Sequence, residues 1–398
     1  MFNQAKPQHG IEARIRLRAS CSILIAVIAT AGAAACSIGE SGPTEPLLPA
    51  CDIAGPTFDL APFDIDAIDV FEPLGAVTPP LHVLPGDYVT GRLRQEGEPP
   101  SPRGSDVRAP GDVRVSLIVR RTRYDDFDQP AGEDYSVTLD ACRDVRLNIA
   151  RMSDLSPILL AEAATWDRCV DNGRRNEPGL QVHFTFCVIE PAVEVERGTV
   201  LGSAGGQAGQ GVLEMRAWDA RNRPHAFANP FRYGVSADGF DVFHVNCPFE
   251  YFTQPLQQAM LAKLQRTTEP RCGDVVQDLF GTARGSWFLS EAGPGSTSVE
   301  EQLSLVEWSV DPSRVAIASG GALTGEPLLI VLLPSAEGRA NRRPADITSD
   351  GNTYCYDAAG GRLLVKLETE AHLLAEFETG AACGGGPWTV QGAQIYVR

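Results

Sequence analysis

The chain is short of lysine. Lys6, Lys263 and Lys366 are the only three in 398 residues, so its positive charge is almost entirely arginine. We read that bias as base composition rather than function. Acidic residues outnumber basic ones by 51 to 34, a net charge of −17. An acidic chain without lysine clusters repels phosphate backbones and anionic headgroups, which excludes nucleic acid as a partner. The charge is dispersed rather than gathered in a tail, which favours solubility. Several catalytic signatures are also missing. There is no Gly-x-Ser-x-Gly elbow, no phosphate-binding loop and no dinucleotide fingerprint. No internal repeat is evident. After the first 35 residues no apolar run reaches the roughly 20 residues of a membrane span. Leu328–Leu333, closed off by Pro327 and Pro334, is strand-sized.

What is present begins at the N-terminus. Arg14, Arg16 and Arg18 precede a short apolar run, Ser22 to Ala35, which ends in small residues and Cys36. A basic segment, a short apolar segment and a small-residue cleavage site make a secretory signal. Ala33 and Ala35 also satisfy ordinary secretory cleavage before Cys36. Small residues running directly into cysteine resemble a bacterial lipoprotein signal, although Ala33 stands where that signal usually carries leucine. The resemblance implies lipidation of Cys36 and anchoring to a membrane. Ser37, rather than aspartate, after the cysteine implies an outer membrane or the cell surface. The eight cysteines that follow Cys36 can pair completely only if Cys36 itself is not among them, and export permits disulfides. Cys247 with Cys272, around a helix, and Cys355 with Cys383, at the ends of a strand pair, are plausible bridges; spacing leaves the full connectivity open.

The chain divides into a signal (1–35), a Gly/Ser/Pro-rich tether (36–56), a first domain (57–270) and a second (271–398). A mainly β fold is expected: an antiparallel sheet domain, a short helix, and a second β-rich domain. Asp112–Val119 and Gln181–Ile189 read as strands, as do Leu363–Glu368, Ala371–Phe377 and Val390–Val397. Arg92–Gly111 reads as a polar loop. Asp64, Asp66 and Asp69, interleaved with Phe63, Ile65 and Ile68, read as an alternating strand rather than a calcium loop, which would need a glycine and a terminal acid. Thr253 as cap, Pro255 in the first turn, and Leu256, Met260 and Leu264 at helical spacing predict one helix.

Four segments of the first domain resemble the M23 (lysostaphin-like) metallopeptidases. Leu81-His82-Val83-Leu84-Pro85-Gly86-Asp87 is similar to the His-x-x-x-Asp ligand segment with one residue added. Val107–Val115 is similar to the V-x-A-P-x-x-G-x-V strand. Arg151-Met152-Ser153-Asp154-Leu155 is similar to H-L-S-x-L, and Val195–Met215 to the glycine-rich stretch that ends in H-x-H. Pro73–Asp87 also resembles the opening P-L-G-x-x-x-P-P-x-H-x-x-P-x-D of bacterial proteins with no assigned activity. The resemblance implies a lysostaphin-like sheet that meets peptidoglycan.

It also implies where chemistry is lost. A catalytic zinc needs three ligands and an open position, with a group to shuttle the proton. Read in this register, the H-x-H positions are Leu213-Glu214-Met215 and the H-L-S histidine is Arg151. Only His82 and Asp87 remain as vestigial metal-site candidates, and Arg151, Leu213 and Met215 become candidates for a groove lining. No catalytic residue, metal or other cofactor is expected. His183, His225, His244 and His372 stand singly. The expected function is a lipid-anchored envelope protein with a non-catalytic binding module. Its partners would be the membrane, through its lipid, and peptidoglycan or another envelope protein. Alternatives are a divergent zinc endopeptidase acting on the wall and a structural surface lipoprotein.

Overall fold

A computed structural model describes residues 48–398, apart from 52–56, 98–100, 103–104, 126, 164, 178–179, 208–209, 234–239 and 294–297. The signal, Cys36 and most of the tether lie outside the described residues. Leu47–Arg398 form one compact unit. It is mainly antiparallel β, with two large sheets and the short helix Gln254–Leu261 between them in sequence.

The first sheet runs, strand by strand across its width, Ile68–Glu72, Val89–Leu93, Val212–Asp219, Val145–Leu155, Pro130–Asp140, Val113–Tyr124, Leu180–Ile189 and Arg168–Glu177. Shorter strands attach to this path: Val193–Val195 beside Val113–Tyr124, Val245–Asn246 beside Val212–Asp219, and Ser105–Arg108 through Val200–Ala204. Side chains alternate between the faces of a strand, and the sheet uses that alternation fully. Leu213, Met215, Leu147, Ile149, Val137 and Leu139 turn to one side and are essentially inaccessible, packed with Phe58, Phe71 and Phe252. The other face is polar.

The second sheet runs Leu328–Leu332, Val315–Ser319, Gln302–Glu307, Gly285–Leu289, Gln394–Val397, His372–Thr379, Gly361–Thr369 and Tyr354–Ala358. Ile330 on one edge strand and Tyr354 and Tyr356 on the other share a single core with Trp287 and Tyr396. The sheet is therefore curled into a near-barrel. Gly281–Phe288 and Tyr354–Tyr356 supply turn and aromatic core, as their composition implies.

Two stretches differ from their sequence patterns. Arg92–Gly111 is not simply a loop, because it holds the end of Val89–Leu93 and the short strands Gln95–Glu96, Ser101–Pro102 and Ser105–Arg108. The Asp64 region starts as a 3-10 turn, Ile65–Ala67, because the Asp64 carboxylate accepts from the Asp66 amide at 2.9 Å. Such a turn competes with extended backbone, so the strand begins only at Ile68. A second helix, Pro157–Glu162, follows Ser156 with proline in its first turn.

All eight described cysteines are paired. Cys247 with Cys272 and Cys355 with Cys383 form the two bridges that sequence made plausible, and Cys51 with Cys142 and Cys169 with Cys187 complete the set. Four disulfides mark an oxidising, exported environment. No helix among the described residues is long and apolar enough to cross a membrane.

Candidate functional site

The polar face of the first sheet carries a line of charged side chains across four strands. It starts at Asp87, just before Val89–Leu93, whose carboxylate accepts from Arg216 Nη1 at 2.7 Å. The Arg216 guanidinium lies 4.6 Å from the centre of the Phe240 ring. Two residues earlier on the same strand and face, Glu214 accepts from Arg151 Nε at 2.8 Å. Arg151 Nη1 is also 3.6 Å from Asp134 Oδ2. Arg121 pairs with that same carboxylate and stacks 5.2 Å from the Phe184 ring centre.

Local backbone geometry aims Arg151 into this line. Tyr135 and Val137 pair with Met152 and Ile149, so the Val145–Leu155 strand carries an extra residue there. A bulge of this kind re-aims side chains. Arg151 takes a left-handed φ of +62°, and its carbonyl accepts from the Gly205 and Gly206 amides. The glycine-rich turn after Val200–Ala204 thus closes against the bulge.

Electrostatics follow from the packing. Asp134 is 4 % exposed. Burial and the neighbouring Glu214 push its carboxyl up to about 8, against an opposing effect of Gln207. The guanidiniums of Arg121 and Arg151 also favour its charged form. Burial, then Glu214, holds the Tyr88 phenol well above its usual range. Each carboxylate in the line has a guanidinium within ion-pair reach, and each pair is at least partly shielded from water. These pairs therefore hold one another in place.

The residues singled out from sequence divide into two groups. Asp87 and Arg151 lie on this polar line. Leu213 and Met215, each 1 % exposed, lie in the core on the opposite face, so they line no groove with Arg151. Their neighbours Glu214 and Arg216 are the residues that face Asp87 and Arg151. His82 stands beside the line, its ring edge-on to Tyr88 at 5.2 Å between centres. The signal for Glu214 and Arg216 was in the sequence: apolar Leu213, Met215 and Ala217 alternate with Glu214, Arg216 and Trp218.

The donor set does not suit a metal. Arginine is always protonated and has no lone pair to give, and among the described residues no group of three His, Cys, Asp or Glu side chains converges on a metal-sized site. The other histidines have separate local partners: Asp171 for His183, the Val245 carbonyl for His225, Asp241 for His244 and Thr369 for His372. Elsewhere, an open cleft of about 770 Å³ is lined by Phe63, Asp64, Asp66, Ser105, Asp106 and Arg108 among others.

No protein-family model matches the chain, and no curated protein or solved structure matches it either.

Proposed function

We propose that the chain is an exported envelope protein, lipid-anchored through Cys36, whose first sheet is an M23-like module that binds peptidoglycan without cutting it. The observation that carries this reading is the Asp87–Arg216 pair at 2.7 Å. On the M23-like alignment, Asp87 is the aspartate ligand and Val212–Asp219 is the strand that bears H-x-H. Which residues replace the histidines depends on which face of that strand meets Asp87. That face carries Glu214 and Arg216, one position later than Leu213 and Met215. A guanidinium then takes the place of the ion, and the Arg151–Glu214 pair takes the place of the two histidines that move the proton. Neither pair can activate water at a metal.

Support for the anchor comes from cysteine pairing. The eight cysteines after Cys36 bond among themselves, so none requires Cys36 as a partner. Support for a binding rather than a cutting role comes from the charged side chains themselves: each carboxylate in the line is already engaged by a guanidinium.

Two measurements on the purified chain test the proposal. Calorimetric titration with zinc should show no tight stoichiometric site, and His82→Ala should leave that result unchanged. With a peptidoglycan suspension, the chain should co-sediment without lowering turbidity, and Arg151→Ala should weaken the co-sedimentation. Chelator-sensitive clearing of the suspension would identify a divergent zinc peptidase instead. Absence of co-sedimentation would remove peptidoglycan as the ligand.

A further inference from the structure

The two edges of the second sheet are treated differently. At the Tyr354–Ala358 edge, the Cys355 amide donates to the Arg339 carbonyl, the Asn341 amide donates to the Cys355 carbonyl, and the Asp357 amide donates to the Asn341 side chain. That edge is covered. The Leu328–Leu332 edge pairs with Val315–Ser319 on one side, from Leu328 opposite Ser319 to Leu332 opposite Val315. Among the described residues, no strand, bridge or backbone hydrogen bond meets its other side. In an antiparallel ladder, alternate residues turn both N–H and C=O outward, so this edge presents a row of bonding groups.

Edges are normally guarded by charge, and this one has none. Leu328 to Leu333 is wholly aliphatic between Pro327 and Pro334. Leu329 and Leu333 are 47 % and 63 % exposed. Val331 packs into the cluster on its own face, while Leu328 and Leu332 pack on the other. The strand is thus held in place by the fold, while among the described residues nothing pairs with its outer edge.

We propose that this edge pairs with the same strand of a second copy, antiparallel about a two-fold axis at Ile330. The strand is complementary to itself in that register. Leu328 falls opposite Leu332, Leu329 opposite Val331 and Ile330 opposite Ile330, so every cross-strand pair is aliphatic. Charge points to the same place. Two copies of net charge −17 repel, so contact is favoured where no acid faces another. The nearest acid, Glu326, falls opposite Pro334. Proline donates no ladder hydrogen bond, so Pro327 and Pro334 limit the pairing to this run. The contact uses the same patch on both copies and closes as a dimer rather than a fibre.

Sedimentation equilibrium and hydrogen exchange on the purified full chain test this. A monomer–dimer equilibrium is expected, with the outward amides of Leu328–Leu332 exchanging slowly in the dimer and fast on dilution. Leu329→Lys should raise the dimer Kd by roughly tenfold or more with an unchanged circular-dichroism spectrum. Leu333→Lys, at the more exposed site, should act in the same direction. A chain that stays monomeric at every concentration overturns the proposal. So does a dimer that neither lysine weakens. Amides that stay protected in the dilute monomer mean that another part of the same chain covers the edge, and overturn it too.

Discussion

At the residue scale, the face that the Val212–Asp219 strand turns toward Asp87 decides which side chains stand at the site. Alternation separates Glu214 from Leu213 and Met215, and that much was legible in the sequence. The face toward Asp87 is set by pairing with Val89–Leu93 and Val145–Leu155, contacts of long sequence separation that no local pattern contains. Arg151 lies in one of the segments singled out from sequence. Its partner Asp134 was not legible, because Asp134 belongs to none of the segments that resemble a known motif. Asp134 also yields the pH prediction. Its carboxyl is raised from 3.8 to about 8, first by burial and then by Glu214. A carboxyl raised in the folded state contributes stability that is full below the unfolded value and is lost as pH rises through the folded one. The urea midpoint should therefore fall between about pH 4 and about pH 8. Asp134→Asn, which cannot ionise, should flatten that fall. An unchanged slope in Asp134→Asn would assign the dependence to another group.

Among the elements, the helix Gln254–Leu261 was the most legible, since Pro255 lies in its first turn and Met260 on its buried face, although Thr253 stands at the cap position without a side-chain bond and Leu264 lies beyond the helix end. Its bounding bridge was legible for a related reason: Cys247 and Cys272 flank the one helical pattern in a strand-rich chain. Pro157–Glu162 was missed because six residues hold too little periodicity to stand out. The Cys247–Cys272 bridge closes a separation of 25 residues. Closing a loop of that size removes denatured-state entropy worth roughly 3 kcal/mol. The double variant Cys247→Ala/Cys272→Ala should lose about that much stability in denaturant unfolding without reductant. Because Cys272 precedes Gly273, the loss bears on a tight crossing as well. Gly273 has φ +84°, and a Cβ there would stand 2.2 Å from the Leu74 carbonyl oxygen. Gly75 approaches the Asp274 carbonyl in the same way. No side chain fits at either crossing, which explains both glycines.

For the whole molecule, the segment between Ile68–Glu72 and Val89–Leu93 has two roles. It delivers Asp87 to the polar line. It also inserts Val77 and Val83 into a cluster with Val306, Ala316 and Ala318 of the second sheet and Val299 of the turn before Gln302–Glu307. Further contacts join the same two parts: the Leu74 amide donates to the Cys272 carbonyl, the Ala228 amide to Asp278, and Tyr233 meets Phe288 edge-on. A junction with a buried apolar centre couples the two sheets, so heating should give one calorimetric transition. Val306 is 1 % exposed at that centre. Val306→Asp would bury an unpaired carboxylate there, at a cost of several kcal/mol. That cost falls on the junction and on the Gln302–Glu307 strand, whereas the first sheet keeps its own core. The single transition should therefore split, with the second sheet melting first and the first sheet near its original temperature. If the variant instead lowers one undivided transition, the backbone crossings at Gly75 and Gly273 suffice to couple the sheets, and the valine cluster adds stability without setting cooperativity.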